Sequence, residues 1–264
     1  MRALEKLMMA TAVGAVISGP VFATDEAKTI NYSYIEGAFV HDNFNANGLQ
    51  LTDRDGVGDM SDDNFGTFCD ATGNGGAGRV SFELPFKAGK LGFHLVADYL
   101  QTNHDVAVNV TSVSGFTASG VVPTTQKEWR AALGLHADIG TNVSLFAEVG
   151  VVNNKVNFST ATLALDTGAI AEAPLAAASG SKTSLDGKFG LRAMVMDAIE
   201  LSGFVRYHGN GDLRASADSL NADFGGKVRA GAGVFYHFSR QMSLGLDYEF
   251  GTPGRARVAA RFSF

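Results

Sequence analysis

Ten stretches of this chain alternate between apolar and polar residues with a period of two, and this pattern constrains the fold more than any other feature. Successive side chains of a β-strand point to opposite faces, so each stretch predicts a strand with one apolar and one polar face. Most stretches are close to the roughly 9–11 residues that a tilted strand needs to cross a bilayer. They are residues 31–42, 77–86, 90–103, 126–138, 142–155, 183–196, 199–209, 225–238, 242–250 and 255–264.

The two faces of these strands differ in chemistry. One face consists of aliphatic and aromatic residues, such as Leu133 and Leu135, and carries almost no charge apart from Lys127 at a strand end. The other face carries ten acidic and nine basic residues. Hydrocarbon would accept only the first face, whereas a polar interior would accept the second. The pattern therefore favours a closed transmembrane β-barrel over the alternative, a soluble β-sandwich.

Short and long connections alternate along the chain, which is typical of an up-and-down outer-membrane barrel. The short turns lie at residues 87–89, 139–141, 197–198 and 239–241. The longer connections cover residues 43–76, 104–125, 156–182 and 210–224, followed by a compact connection at 251–254. We predict an all-β fold, a closed antiparallel up-and-down transmembrane barrel of ten strands, with eight strands as the alternative if a terminal strand or hairpin does not close.

Aromatic residues fall at both ends of the predicted strands, where an outer-membrane barrel has its interfacial girdles. At the long-loop end are Tyr99, Trp129, Tyr207, Tyr248 and Phe250. At the short-turn end are Phe86, Tyr236, Phe238, Phe262 and Phe264. The aromatic positions are independent of the connection lengths, and both indicate the same strand topology.

Residues 1–23 have the features of a secretory signal peptide. Arg2 and Lys6 flank an apolar run, residues 7–17, that is too short to span a bilayer as a helix. Small residues at Val21 and Ala23 predict cleavage before Thr24. We expect residues 24–264 to form a single barrel domain in the bacterial outer membrane, without a periplasmic domain.

Charge and cysteine content exclude other classes. The formal net charge is −6, so the chain lacks the basic surface that nucleic-acid binding requires. Its single cysteine, Cys69, excludes a fold held together by disulfides. Cys69 lies in a polar, glycine-rich segment and is expected to be an exposed or half-exposed thiol without a defined role.

Three stretches resemble a known family. Residues 31–37 (NYSYIEG), 244–250 (LGLDYEF) and 258–264 (VAARFSF) resemble proteobacterial outer-membrane β-barrel proteins of the broad OmpA-like or opacity-like group. The resemblance covers nearly all of the chain after residue 23 except the loops, and its motifs are those of strand architecture, not of catalysis. It implies contact with outer-membrane lipid and lipopolysaccharide, and recognition by the barrel assembly machinery. The residues that look like the C-terminal assembly signal are Val258, Ala260, Phe262 and Phe264.

The near balance of acids and bases on the polar face favours a plugged or very narrow lumen. A selective pore favours an excess of one sign, whereas a closed lumen favours pairing because an unpaired buried ion is costly. We expect an ion-pair network near the middle of the lumen; the alternative is a narrow channel or small-solute conduit. The predicted network comprises Glu36, Glu83, Asp98, Arg130, Glu148, Arg192, Arg206, Arg229, Asp247 and Arg257.

Several histidines raise the alternative of an outer-membrane enzyme. A histidine beside a carboxylate can activate water, as in barrel proteases. The candidates near the outer ends of the strands are His41-Asp42, His104-Asp105 and His208 with Asp212, whose spacing does not match that family. The triplet at residues 237–239 resembles the His-x-Ser arrangement of barrel lipid deacylases but lies at a predicted periplasmic turn. We expect no catalytic residue and no cofactor.

The long loops carry the remaining candidates. An acidic group in the first loop could hold Ca²⁺ but lacks the complete twelve-residue calcium loop, so we expect it to be solvated. It comprises Asp53, Asp55, Asp59, Asp62 and Asp63. Residues 108–113 and 158–163 could extend two hairpins beyond the membrane. Because loops on a rigid scaffold commonly carry recognition, we expect a structural or surface-interaction role with an unidentified surface ligand.

Overall fold

The computed structural model describes residues 30–44, 50–51, 66–69, 71–88, 90–111, 117–174, 179–209, 212–214, 220–223, 228–251 and 254–264. The expected signal peptide and the acidic group of the first loop lie outside these residues. Ten antiparallel strands form the barrel wall. They are β1 (Tyr34–Phe44), β2 (Ala71–Ala88), β3 (Leu91–Thr111), β4 (Thr117–Asp138), β5 (Val143–Phe158), β6 (Gly180–Val195), β7 (Ile199–His208), β8 (Val228–His237), β9 (Met242–Phe250) and β10 (Arg255–Ser263).

Each strand pairs with the next along the chain, and the last strand pairs with the first. In the closing pair, Tyr34 on β1 lies opposite Ser263 on β10, and the register continues to Asp42 opposite Arg255. The wall is therefore closed and leaves no free edge at membrane height. The predicted ten-stranded barrel is confirmed, and the alternative of eight strands is wrong.

The outer surface of the barrel is apolar, as the alternation predicts. Leu133, Val149 and Phe189 are 48%, 63% and 59% exposed, whereas charged residues on the same strands are buried inside. Residues of both predicted girdles lie on this surface. Tyr248 and Phe250 pack edge to face with ring centroids 4.7 Å apart at one end, and Tyr236 and Phe238 do so at 5.2 Å at the other.

The strands differ in length, so one side of the wall projects beyond the other. Strands β3 and β4 have 21 and 22 residues, whereas β9 and β10 have 9 each. About 9–11 residues suffice to cross the membrane, so the outer halves of β3 and β4 stand outside it. They remain paired up to Thr111 opposite Thr117.

Where the strands leave the membrane, the apolar residues change from the outward face of the wall to the inward face. On β3, Leu95 and Tyr99 face outward, but farther out Val106 and Val108 face inward and are fully buried. Water replaces lipid outside the projecting wall, so the apolar face turns inward there. Val122, Val156 and Phe158 join this external apolar core from neighbouring strands.

Short strands widen the projecting wall. A hairpin of strands Thr160–Leu165 and Ile170–Pro174 pairs with the outer part of β4, and Gly66–Phe68 pairs with the outer part of β3. The residues expected to extend two hairpins thus lie partly in β3, which ends at Thr111, and partly in the first strand of this added hairpin.

The connections at the opposite end are short. One of them places Met196 and Asp197 in the left-handed region, each with φ of 55°. Among the residues described, no helix is long and apolar enough to cross a bilayer.

Candidate functional site

The candidate site is the lumen, where charged side chains of all ten strands meet. Alternation directs every second side chain inward, and closure of the wall removes these side chains from bulk water. The acidic members are Glu36, Asp42, Glu83, Asp98, Glu128, Glu148, Asp186, Glu200, Asp247 and Glu249. The basic members are Arg79, Arg130, Lys188, Arg192, Arg206, Arg229, Arg255, Arg257 and Arg261.

A periplasmic cluster, consisting of Glu36, Arg192, Glu200 and Arg261, closes one end of the lumen. Arg192 donates from Nε and Nη2 to the two carboxylate oxygens of Glu200, at 2.8 and 2.9 Å. Arg261 donates to Glu200 Oε1 at 3.1 Å and to Glu36 Oε2 at 3.1 Å. Bidentate, charge-assisted contacts of this type are among the strongest in proteins. The cluster therefore ties β1, β6, β7 and β10 together.

Aromatic rings pack against the periplasmic cluster. The Arg261 guanidinium lies 3.8 Å from the ring centroid of Phe235 and 4.5 Å from that of Tyr34. The Arg192 guanidinium lies 4.8 Å from the ring of Tyr32. Cation–π contacts are stronger when the charge is removed from water, as both guanidinium groups are here.

Tyr32 precedes the first strand and fills the periplasmic mouth. Its ring stacks on His136 with centroids 3.9 Å apart, and its hydroxyl lies 3.1 Å from Ser144 Oγ. Its carbonyl accepts a hydrogen bond from Ser81 Oγ at 2.6 Å. The segment before β1 is thus fixed by side-chain and backbone contacts, and it narrows the lumen at the periplasmic end.

A central cluster is built around Arg130. Arg130 donates to Asp98 at 3.1 Å, pairs with Glu148 at 2.8 Å and donates through Nε to Asp186. Asp98 also accepts a hydrogen bond from Arg79. The cluster joins carboxylates on β3, β5 and β6 through one guanidinium on β4.

An external cluster lies above the central one and shares Asp186 with it. Arg206 donates to Asp186 Oδ2 at 2.6 Å and to Glu128 Oε1 at 3.0 Å. Arg255 connects Glu128, at 3.7 Å, with Asp42, at 3.6 Å. These contacts cross the lumen, since β4 and β7 are not neighbours in the wall.

The ten residues predicted for the network all face the lumen, but they are spread along its length. Arg192 and Glu36 belong to the periplasmic cluster, and Arg206 to the external one. Glu83 lies at the periplasmic end, where its Oε1 is 3.7 Å from His136 Nε2. Asp247 and Arg257 form a separate pair at 2.7 Å, and Arg229 pairs with Glu249 at 3.6 Å.

The prediction left out Glu128, Asp186, Glu200 and Arg261, each of which holds several partners. All four stand on the inward face of a predicted strand, so strand parity alone would have identified them. Parity could not have ranked them, because the number of partners depends on which strands meet across the lumen. That information is absent from the alternation pattern.

The histidine–carboxylate pairs differ from those expected. Adjacent residues on a strand point to opposite sides, so His41 and Asp105 face outward and cannot pair with their neighbours inside. Instead His104 lies 3.4 Å from Asp42, with both side chains fully buried, and His208 lies 3.3 Å from Asp186. Among the residues described, no cluster of histidine, cysteine and carboxylate side chains fits a metal ion.

The triplet at residues 237–239 and Cys69 were the remaining candidates, and their side chains make ordinary contacts. His237 Nε2 lies 3.2 Å from Glu200 in the periplasmic cluster, while Ser239 Oγ accepts backbone N–H bonds in the following turn. The histidine and serine of this triplet therefore serve different contacts. Cys69 is a half-exposed free thiol, with its sulfur 3.8 Å from the side-chain amide of Asn109.

Small cavities remain between the clusters. In the described part of the lumen, two of them have volumes of about 30 and 40 Å³, and both are lined by Arg79, Lys188 and Arg257. One water needs about 10–15 Å³ of such space, so each cavity holds only a few waters.

No family model matches the chain, and no curated protein matches it in sequence. Among solved structures, the translocator domain of autotransporter NalP from Neisseria meningitidis is 14% identical, with a TM-score of 0.46 over 100% of this chain and 97% of that one. The transport unit of the autotransporter AIDA-I from Escherichia coli is 13% identical, with a TM-score of 0.45 over 97% and 98%. The outer membrane protein OprG from Pseudomonas aeruginosa is 14% identical, with a TM-score of 0.41 over 90% and 99%.

The assignment rests on the geometry of the barrel itself. Its outer belt would be costly to expose to water, and its interior could not face hydrocarbon. A closed antiparallel wall with apolar residues outside, girdles at both ends and charges inside is what a spanning β-structure requires. The chain folds as a closed ten-stranded β-barrel with the architecture of an integral outer-membrane protein.

Proposed function

We propose that this protein is a non-enzymatic barrel with a closed lumen, which anchors a projecting β-structure at the cell surface. The observation that carries the proposal is the filling of the lumen. Three clusters of ion pairs span it from end to end, and the cavities between them hold only a few waters each.

The buried histidines support the non-enzymatic part of the proposal. Catalysis by a histidine–carboxylate pair requires that substrate or water reach the histidine. His104 and Asp42 are both fully buried inside the wall. His208 is also buried, and its Nδ1 faces Asp186, which Arg130 and Arg206 already hold.

The projecting strands support a role at the surface. The wall formed by β3, β4 and β5 continues beyond the membrane, and its own apolar core contains Val106, Val122 and Phe158. A paired wall with a buried core is a rigid platform, unlike a solvated loop. The outward residues of this wall, such as Asn103 and Thr117, are polar and open to contact.

The apolar outer surface of the barrel indicates which partners we propose for it. The apolar belt would contact membrane lipid and lipopolysaccharide. Val258, Ala260, Phe262 and Phe264 all lie on the lipid-facing side of β10 or directly after it, which suits recognition by the barrel assembly machinery. None of these contacts requires a cofactor.

Single-channel recording in planar bilayers tests the closed lumen. We expect the purified barrel to insert without steady conductance. Large, stable current steps would instead favour the alternative of a narrow channel or small-solute conduit.

The surface role has its own test. His104 and Thr124 are register partners, so residues 105–123 can be replaced by a two-residue Asn-Gly turn. Cells that display this variant should keep the barrel in the outer membrane. They should lose the attachment to lipopolysaccharide-, glycan- or protein-coated surfaces that cells with the wild-type chain show. Equal attachment by both chains would contradict the surface role.

A further inference from the structure

Lys188 differs from every other charged group in the described part of the lumen. Each described lumenal carboxylate has an arginine or histidine within ion-pair distance, and each described lumenal arginine has a carboxylate. Lys188, on β6, has no carboxylate at that distance among these residues. It is nevertheless only 9% exposed.

The lack of a partner follows from the geometry of the neighbouring strands. The register partners of Lys188 are Glu148 on β5 and Arg206 on β7. The Glu148 carboxylate is held by other groups: its Oε2 lies 2.8 Å from Arg130, and its Oε1 lies 3.6 Å from His94. The potential anionic partner is therefore committed elsewhere.

Two aromatic rings lie near the ammonium group of Lys188. Lys188 Nζ lies 4.0 Å from the ring centroid of Phe204 and 5.5 Å from that of Phe146. These cation–π contacts stabilise the charge in part, but they do not neutralise it. An ammonium removed from water without a counter-charge is costly.

The space beside Lys188 is bordered by other cations. Arg79 and Arg257 line the same two cavities as Lys188. Arg79 forms an ion pair with Asp98, and Arg257 forms one with Asp247. Glu36 also lines both cavities, but Arg261 holds its Oε2 at 3.0 Å. Other carboxylates also line these cavities, but each of them is within ion-pair distance of an arginine or histidine, whereas Lys188 has no such partner among the described residues.

We propose that Lys188 binds a small inorganic monovalent anion, such as chloride, in a cavity that it lines together with Arg79 and Arg257. The cavities of about 30 and 40 Å³ suit a halide or a few waters and exclude a larger organic anion. Arg79 and Arg257 add positive charge on the same side. The site is separate from the proposed surface role, and a bound anion is compatible with a closed lumen.

Anomalous scattering from bromide locates the anion directly. The barrel is unfolded, refolded in detergent with bromide as the only halide, and crystallised from that solution, so an ion trapped during folding is also detected. We expect an anomalous peak within hydrogen-bonding distance of Lys188 Nζ. The peak should be lost in Lys188→Met and retained in Lys155→Met, which changes an exposed, outward-facing lysine. A wild-type protein without this peak, or a peak that survives in Lys188→Met, overturns the proposal.

Thermal unfolding provides a second measurement in solution. A ligand that binds only the folded state raises the unfolding midpoint in a saturable manner. When bromide replaces gluconate at constant ionic strength, the midpoint of the wild type and of Lys155→Met should rise and then level off. The saturable rise should be lost in Lys188→Met, or in Lys188→Gln if the first variant does not refold. An equal rise in wild type and Lys188 variants contradicts the proposal.

Discussion

Arg261 on β10 and Glu200 on β7 lie three strands apart in the barrel wall, yet their side chains meet inside the lumen with Nη1 3.1 Å from Oε1. Glu200 also receives two hydrogen bonds from Arg192. Backbone pairing connects each strand only to its neighbours, so contacts of this kind add connections that the wall itself does not have. They also occupy the space that a pore would need.

Arg206 holds two carboxylates across the lumen, Asp186 and Glu128. Replacing Arg206 by Ala should lower the free energy of unfolding by about 3–5 kcal/mol, because both carboxylates would remain buried with reduced compensation. Equilibrium unfolding by urea in lipid vesicles measures this difference. Lys155→Ala, at an exposed position, is the control and should change little. A neutral result for Arg206→Ala, and likewise for Arg192→Ala, would indicate a hydrated lumen.

Tyr32 should stabilise the periplasmic mouth mainly through its ring. Tyr32→Phe keeps the stacking on His136 and loses only the contact with Ser144, so we expect a cost of about 0.5–1.5 kcal/mol. Tyr32→Ala also loses the buried ring and should cost about 3–5 kcal/mol. Urea unfolding of both variants gives the comparison. Equal costs would show that the ring does not support the mouth.

Two outward-facing residues of β4 test where the membrane lies. Leu133 is in the middle of the apolar belt and Val121 is on the projecting part, and they are 48% and 41% exposed. Leu133→Arg should cost about 2–4 kcal/mol, as expected for a cation at the bilayer midplane. Val121→Arg should stay within about 0.5 kcal/mol of wild type. Similar costs at both sites in lipid vesicles would place the membrane elsewhere.

The turn at Asp197 contains removable backbone strain. Its φ of 55° is unfavourable for a residue with a Cβ atom, and glycine has no such penalty. Asp197→Gly should therefore raise the free energy of unfolding by about 0.5–1 kcal/mol. Asp166→Gly, at an exposed turn residue without a positive φ, is the matched control and should not stabilise the barrel. Destabilisation by Asp197→Gly would rule out this strain.

Most of the wall could be predicted from the sequence because lipid imposes a strict rule on one face. Residues such as Leu133 and Phe189 must be apolar, so alternation shows both the strand and its outward side. The rule no longer applies where the strand leaves the membrane. On β3 the apolar residues change from the outward Tyr99 to the inward Val106, and the predicted strand ended at residue 103 although the strand continues to Thr111.

The site was less predictable, because alternation identifies inward residues but not their partners. Arg257 and Asp247 are register partners on adjacent strands, so their pairing follows directly from the strand alignment. Glu200 and Arg261 meet only because the barrel has ten strands and a particular stagger. Lys188 lies on the inward face of its strand, but whether a carboxylate reaches it depends on where side chains from other strands lie in the lumen, which the sequence does not show.

The pairing of Arg261 with Glu200 can be measured directly by a double-mutant cycle. Arg261→Met, Glu200→Gln and the double variant are unfolded by urea in lipid vesicles beside the wild type. If the pair holds the lumen closed, the two substitutions are coupled, and the interaction energy is about 1–3 kcal/mol. If the two effects add without coupling, the side chains do not meet across the lumen, and the closed, ion-paired interior is contradicted.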